Sequence, residues 1–97
     1  MASIAKTAQA GTLESSDVMI TVAPGTQGSG IVIELESIVL AQYGDDIKTL
    51  LEKTVRQQDI TDVYIKAVDR GALDCTIYAR TLAALSRAGA VLKEEML

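Results

Sequence analysis

The stretch Gly11-Thr12-Leu13-Glu14-Ser15-Ser16-Asp17-Val18-Met19-Ile20-Thr21-Val22-Ala23 decides how this chain is read. Small and polar residues run straight into a β-branched segment, Asp17 to Ala23. There Val18, Ile20 and Val22 alternate with Met19, Thr21 and Ala23, the period of two of a strand with one buried face. Two adjacent hydroxyls, Ser15 and Ser16, stand at the entry to that strand, with Glu14 and Asp17 on either side. Toward the N-terminus, Met1 to Gly11 carries no hydrophobic period, which predicts a loosely held arm over residues 1–11. Toward the C-terminus, Pro24 to Gly30 holds a proline and three glycines and must be a loop. Ile31 to Glu36 then alternates again, with Ile31, Ile33 and Leu35 inward. Two strands about one glycine-rich loop predict a hairpin. The loop matches neither the G-x-x-x-x-G-K-[ST] nor the G-x-G-x-x-G pattern, so a phosphate cradle is not expected there.

From Ser37 the period changes. Val39, Tyr43, Ile47, Leu50, Leu51, Thr54 and Val55 recur at three and four, opposite Asp45, Asp46, Lys48, Glu52, Lys53 and Arg56. The helix begins at Ser37 as cap, or after a break at Gly44 with Asp45 and Asp46 in its first turn. Ile60 to Val68 reads as a third strand, the strand–helix–strand order suggesting a right-handed crossover from the second strand, and Asp69-Arg70-Gly71 reads as a turn. From Leu73 a second helix is predicted, with Asp74 as N-cap, Leu73 and Tyr78 as a hydrophobic staple, and Gly89 as its stop. A short strand through Leu73, Cys75 and Ile77 is the alternative for its beginning. Residues 91–97 form an amphipathic tail to which no element is assigned. The whole is one domain, 1–97, of the α/β (α+β) class. It is a small two-layer fold in the order ββαβα, with two helices on one face of the sheet.

Composition removes most functions. The 97 residues are 48% hydrophobic but only 3% aromatic, and the formal charge is −4. No basic cluster is present to displace counterions from a nucleic acid, so no nucleic-acid partner is expected. No apolar run reaches the length of a membrane span, and no signal peptide is evident; a cytoplasmic protein without a membrane partner is expected. Histidine is absent, which removes Ser-His-Asp and Cys-His catalysis and the commonest metal ligand. The carboxylate pairs Asp45/Asp46 and Glu94/Glu95 are sequence neighbours and do not face each other across a cleft. No metal site is expected. Cys75, the single cysteine, is flanked by core-type residues in L-D-C-T-I and is expected to be buried and inert. No catalytic residue emerges.

Glu14-Ser15-Ser16-Asp17 remains. Such a cluster suits a turn, where Ser and Asp bond nearby backbone. It can also suit a modified serine, which needs exposure, a small neighbour and a rigid base, although from the residues alone the turn is the stronger reading. The segments A-G-T-L-E-S-S-D-V-M-I (Ala10 to Ile20), Q-Y-G-D-D-I (Gln42 to Ile47) and D-R-G-A-L-D-C (Asp69 to Cys75) resemble the acyl carrier protein, or gamma subunit, of citrate lyase. The resemblance implies a fold unlike the four-helix-bundle carriers and a non-catalytic carrier role. It implies that Ser15 bears 2'-(5''-phosphoribosyl)-3'-dephospho-CoA (a phosphoribosyl-dephospho-coenzyme A arm) through a phosphodiester, with Ser16 at the variable position. The implied partners are the alpha acyl transferase and beta citryl lyase subunits, and a prosthetic-group transferase. The related carriers of malonate decarboxylase and citramalate lyase differ in the acyl group; an unmodified interaction module is the other alternative. Glu14 and Asp17 are expected to repel a phosphodiester and keep the arm in solution.

Overall fold

The computed structural model describes residues 3–38 and 40–92, with side chains outside 40–43. Val39, the Tyr43 side chain and Glu94/Glu95 therefore lie outside the described residues. Six elements follow in order: β1 (Ala8–Gly11), β2 (Val18–Pro24), β3 (Ile31–Ser37), α1 (Leu40–Gln57), β4 (Val63–Asp69) and α2 (Asp74–Arg87). The strands form one sheet in the order β1-β2-β4-β3. Both helices pack on one face, α2 over β1 and β2, α1 over β3, and each against the other. The two-layer α+β expectation stands, with one strand more than ββαβα.

The core follows from strand alternation. Val18, Ile20 and Val22 of β2 and Val63, Ile65 and Ala67 of β4 have no exposed surface. They meet Ile47, Leu51 and Val55 of α1 and Ile77, Ala84 and Leu85 of α2. Each large aliphatic side chain so buried contributes about 1.5–3 kcal/mol. On the opposite face Met19, Thr21, Tyr64 and Val68 are half-buried, and Glu34, Glu36 and Lys66 are exposed. Glu34 stands beside Lys66 in the parallel β3–β4 register.

Two expectations of the sequence are corrected here. Residues 8–11 are not part of a loose arm: Ala8–Gly11 pairs antiparallel with β2, from Ala8 opposite Val22 to Gly11 opposite Met19. Ahead of it Ile4 is buried, and the Ala5 and Lys6 amides donate to the Ala88 carbonyl. Nor do β2 and β3 form a hairpin, because β4 lies between them, antiparallel to β2 and parallel to β3. The loop after Pro24 crosses the start of β4, where Val63 N–H donates to the Gly30 carbonyl and Gly30 N–H to the Asp62 carboxylate. A Cβ at Gly25 would lie 2.7 Å from the Val63 nitrogen, so glycine is what permits the crossing.

The helix limits also differ. α1 runs through Gly44, which places the exposed Asp45 and Asp46 beyond its first turn. At Leu73–Ile77 the chain is helical rather than extended. Leu73, not Asp74, occupies the cap position, without a side-chain cap bond, and Asp74 is in the first turn. Leu73 is 71% exposed, so the staple with Tyr78 does not form. Gly89 does end α2, at φ +101°, in a Schellman arrangement: Gly89 N–H donates to Ser86 and Ala90 N–H to Leu85.

Candidate functional site

The loop between β1 and β2, residues 12–17, is the tip of the hairpin that the chain does contain. Its shape is set at Gly11, whose φ is +98° and whose absent Cβ would collide with the Val18 carbonyl. The next residue, Thr12, braces the loop internally. Its hydroxyl donates to the Asp17 carboxylate at 2.6 Å and accepts the Glu14 amide at 3.2 Å.

Glu14 to Asp17 is a β-turn closed by Asp17 N–H to the Glu14 carbonyl at 3.2 Å. Ser15 and Ser16 are its central residues, and Ser16 has φ +64°. A positive φ at the second central position alone is the type II pattern, which ordinarily takes glycine. Beyond the turn, Ser16 N–H donates to the Arg70 carbonyl at 2.8 Å, and Arg70 N–H donates to Asp17 at 2.9 Å. Two residues thus oppose one, a β-bulge whose first member is left-handed. The bulge aims Asp17 at α2. There Arg80 Nε and Nη2 reach its two carboxylate oxygens at 3.2 and 3.0 Å.

Asp17 is consequently held well below the ordinary 3.8, at about 2. The Thr12 hydroxyl is the largest cause, followed by Arg80 and the Val18 amide, which donates at 2.7 Å. Of the two carboxylates expected to repel an arm, Asp17 is therefore already compensated by Arg80. Glu14 is exposed and makes no ion pair among the described residues.

Ser15 occupies the first central position of the turn and is exposed, and no hydrogen bond engages its hydroxyl among the described residues. Ser16 is exposed too, but its backbone is the anchor that fastens the turn to Arg70. The tip is rigid at its base and open at Ser15.

The same end of the sheet carries the approach to α2. Asp69 is buried; its side chain accepts the Ser37 hydroxyl at 2.8 Å and the Ala72 amide at 3.0 Å. This carboxylate fixes the ends of β3 and β4 relative to α2. In the sequence Asp69 is legible only as a turn residue. An open groove of about 820 Å³ separates Asp46, Ile47 and Thr49 of α1 from Asp74 and Cys75 of α2 and the cap residue Leu73. Cys75 is exposed there, not buried, because the helical period turns it away from the Ile77 face. No group of three or more metal-ligating side chains occurs among the described residues. No described helix is long and apolar enough to cross a membrane.

The hairpin tip with its exposed Ser15 stands on a small sheet backed by two helices. A family model described as ACP, malonate decarboxylase delta subunit, matches residues 5–88. Citrate lyase acyl carrier proteins are similar along most of their length. That of Streptococcus uberis is 54% identical over 88% of this chain and 82% of its own. That of Halothermothrix orenii is 52% identical over 88% of each. The fold is also that of a chain in a Pseudomonas malonate decarboxylase hetero-tetramer crystallised with malonate, with a TM-score of 0.76 and 20% identity over 90% of this chain and 88% of that one. The chain belongs to the acyl carrier family that this model and these citrate lyase relatives define.

Proposed function

We propose that this protein is the acyl carrier subunit of citrate lyase, and that Ser15 is its point of covalent attachment. The observation that carries the attachment site is the β1–β2 tip. Ser15 projects from a turn whose next residue is fastened to Arg70 and whose Asp17 is fastened to α2. The residues there fit a phosphodiester-linked group: an exposed hydroxyl without an acceptor, in a loop held by Gly11, Thr12 and Asp17. A bound phosphoribosyl-dephospho-coenzyme A arm would supply the thiol on which acyl groups are carried.

The chain's own contribution is positional. The bulge and the Asp17–Arg80 pair keep the anchor from moving with the arm, so the arm's reach is set by its own length. Tethering makes successive encounters with the acyl transferase and citryl lyase subunits effectively intramolecular. The chain itself is non-catalytic in this reading. That agrees with a sequence without histidine and with carboxylates that are paired or dispersed. The partners are the other subunits of a cytoplasmic lyase complex and the transferase that installs the arm.

Intact-mass analysis after co-expression with the prosthetic-group transferase tests this. Wild type and Ser16→Gly should gain the mass of the arm, and Ser15→Ala should not. No gain on wild type overturns the carrier reading. A gain that survives Ser15→Ala moves the site. The family model's description favours malonyl transfer as the second reading of the acyl group. Acetyl and malonyl loading of the modified carrier by the respective partner subunits separates the two.

A further inference from the structure

Arg70 stands directly across the bulge from the serine turn. Its carbonyl accepts the Ser16 amide and its amide donates to the Asp17 carbonyl, so its backbone is paired with the two residues that follow Ser15. The side chain is half-buried, and its Nε–H is enclosed without an acceptor. No carboxylate forms an ion pair with it among the described residues. The other arginines are committed: Arg56 to Glu52, Arg80 to Asp17, Arg87 to the Gln9 carbonyl. A guanidinium N–H shut away from water with nothing to bond is costly to maintain. Tyr78 Oη is enclosed without a partner as well, but Arg70 is the one beside the serine turn, where an acceptor would arrive with a group on Ser15.

We propose that the Arg70 guanidinium binds the phosphodiester that links the arm to Ser15; this rests on the attachment at Ser15 proposed above. A phosphodiester presents two non-bridging oxygens and one negative charge. The planar guanidinium fork suits that geometry, where an ammonium would act only as a point charge. The local charge is then consistent. Arg80 offsets Asp17, Arg70 offsets the new phosphodiester, and Glu14 alone remains exposed. Arg70 is a positioning residue. It pins the first bonds of the arm and fixes the direction in which the arm leaves the surface, while the distal part stays free.

The test uses isotopically labelled carrier, loaded by the transferase and checked by intact mass. Arginine Nε–H correlation spectra are recorded before and after loading, and the peak missing from Arg70→Lys identifies Arg70. On loading, that peak should shift and its exchange with water should slow by about tenfold, the factor an ordinary hydrogen bond provides. The Arg80 peak should stay in place. In fully loaded Arg70→Lys and Arg70→Gln, the phosphorus resonance should move toward that of an unbound phosphodiester, and the relaxation of the arm's first segment should become that of a freer chain. An Arg70 peak unmoved by loading overturns the proposal. So does a phosphorus resonance unchanged in both variants at full loading. Wild type that gains no mass fails the Ser15 reading itself, and removes the proposal with it. Should Arg70→Gln fold poorly, the wild-type spectra and the charge-conserving Arg70→Lys still decide.

Discussion

A methyl group on Gly11 would enter the space of the Val18 carbonyl, and Gly11 also needs φ +98°. Gly11→Ala combines a backbone collision with a left-handed alanine. It should lower stability by more than about 2 kcal/mol in urea unfolding. Ser16 is the milder case, because its φ of +64° is accessible to a small polar residue at some cost. Ser16→Gly should leave stability equal or higher by roughly 0.5 kcal/mol, and Ser16→Val should lower it by roughly 1–2 kcal/mol. An equal effect of Gly and Val at this position would contradict the turn. Asp17 gives a pH dependence with a definite sign. Its folded value of about 2 lies below the ordinary 3.8, so its bonds to Thr12, Arg80 and Val18 contribute fully above that ordinary value. The contribution disappears as pH falls from about 3.8 through about 2. Unfolding midpoints of wild type should fall more steeply across that window than those of Asp17→Asn; parallel profiles would contradict the linkage.

Among the elements, those with a strong period were legible and those defined by partners were not. Alternation marked β2, β3 and β4, and the three-four repeat marked both helices. Ala8-Gln9-Ala10-Gly11 has neither β-branched residues nor alternation, and it is a strand only because β2 presents an edge to it. The order of the sheet was misread for a related reason. The crossover from β3 through α1 to a parallel β4 is legible in the strand–helix–strand order, but the local hairpin is not formed, because β4 inserts between β2 and β3. At the candidate site, the motif points to Ser15 as an expectation, whereas Arg80, 63 positions from Asp17, leaves no local trace. The apolar neighbours of Cys75 suggest burial, but the helical phase that buries Ile77 turns Cys75 outward. The end of α2, by contrast, was written locally in Gly89. A Cβ there would approach Ala5 Cβ at 3.0 Å in a left-handed conformation. Gly89→Ala should therefore cost about 1–2 kcal/mol, read as a lower denaturant midpoint with unchanged slope. A midpoint equal to wild type would mean that the helix ends elsewhere.

At the scale of the molecule, the two ends of α2 do different work. Its first half meets the serine hairpin through Arg80. Its last residues receive the N-terminal segment, with Ala5 and Lys6 amides at 2.9 and 3.2 Å from the Ala88 carbonyl. Arg80 and Ala88 are eight residues apart, roughly 12 Å along the helix axis. The segment before β1 is thus part of the fold's base, remote from the anchor. Removing residues 1–7 exposes the surface that Ile4 covers, where Ile4 itself is only 8% exposed, and it deletes both bonds to Ala88. Burial of one isoleucine and two hydrogen bonds predict a loss of about 2–4 kcal/mol. Mass gain at Ser15 below the new unfolding midpoint should be unaffected, because among the described residues no bond of the serine turn involves this segment. A truncated chain as stable as the full one would make residues 1–7 the loose arm that their composition suggests. Stability lost together with modification, at temperatures where circular dichroism still shows the folded chain, would mean that the two ends of α2 are coupled.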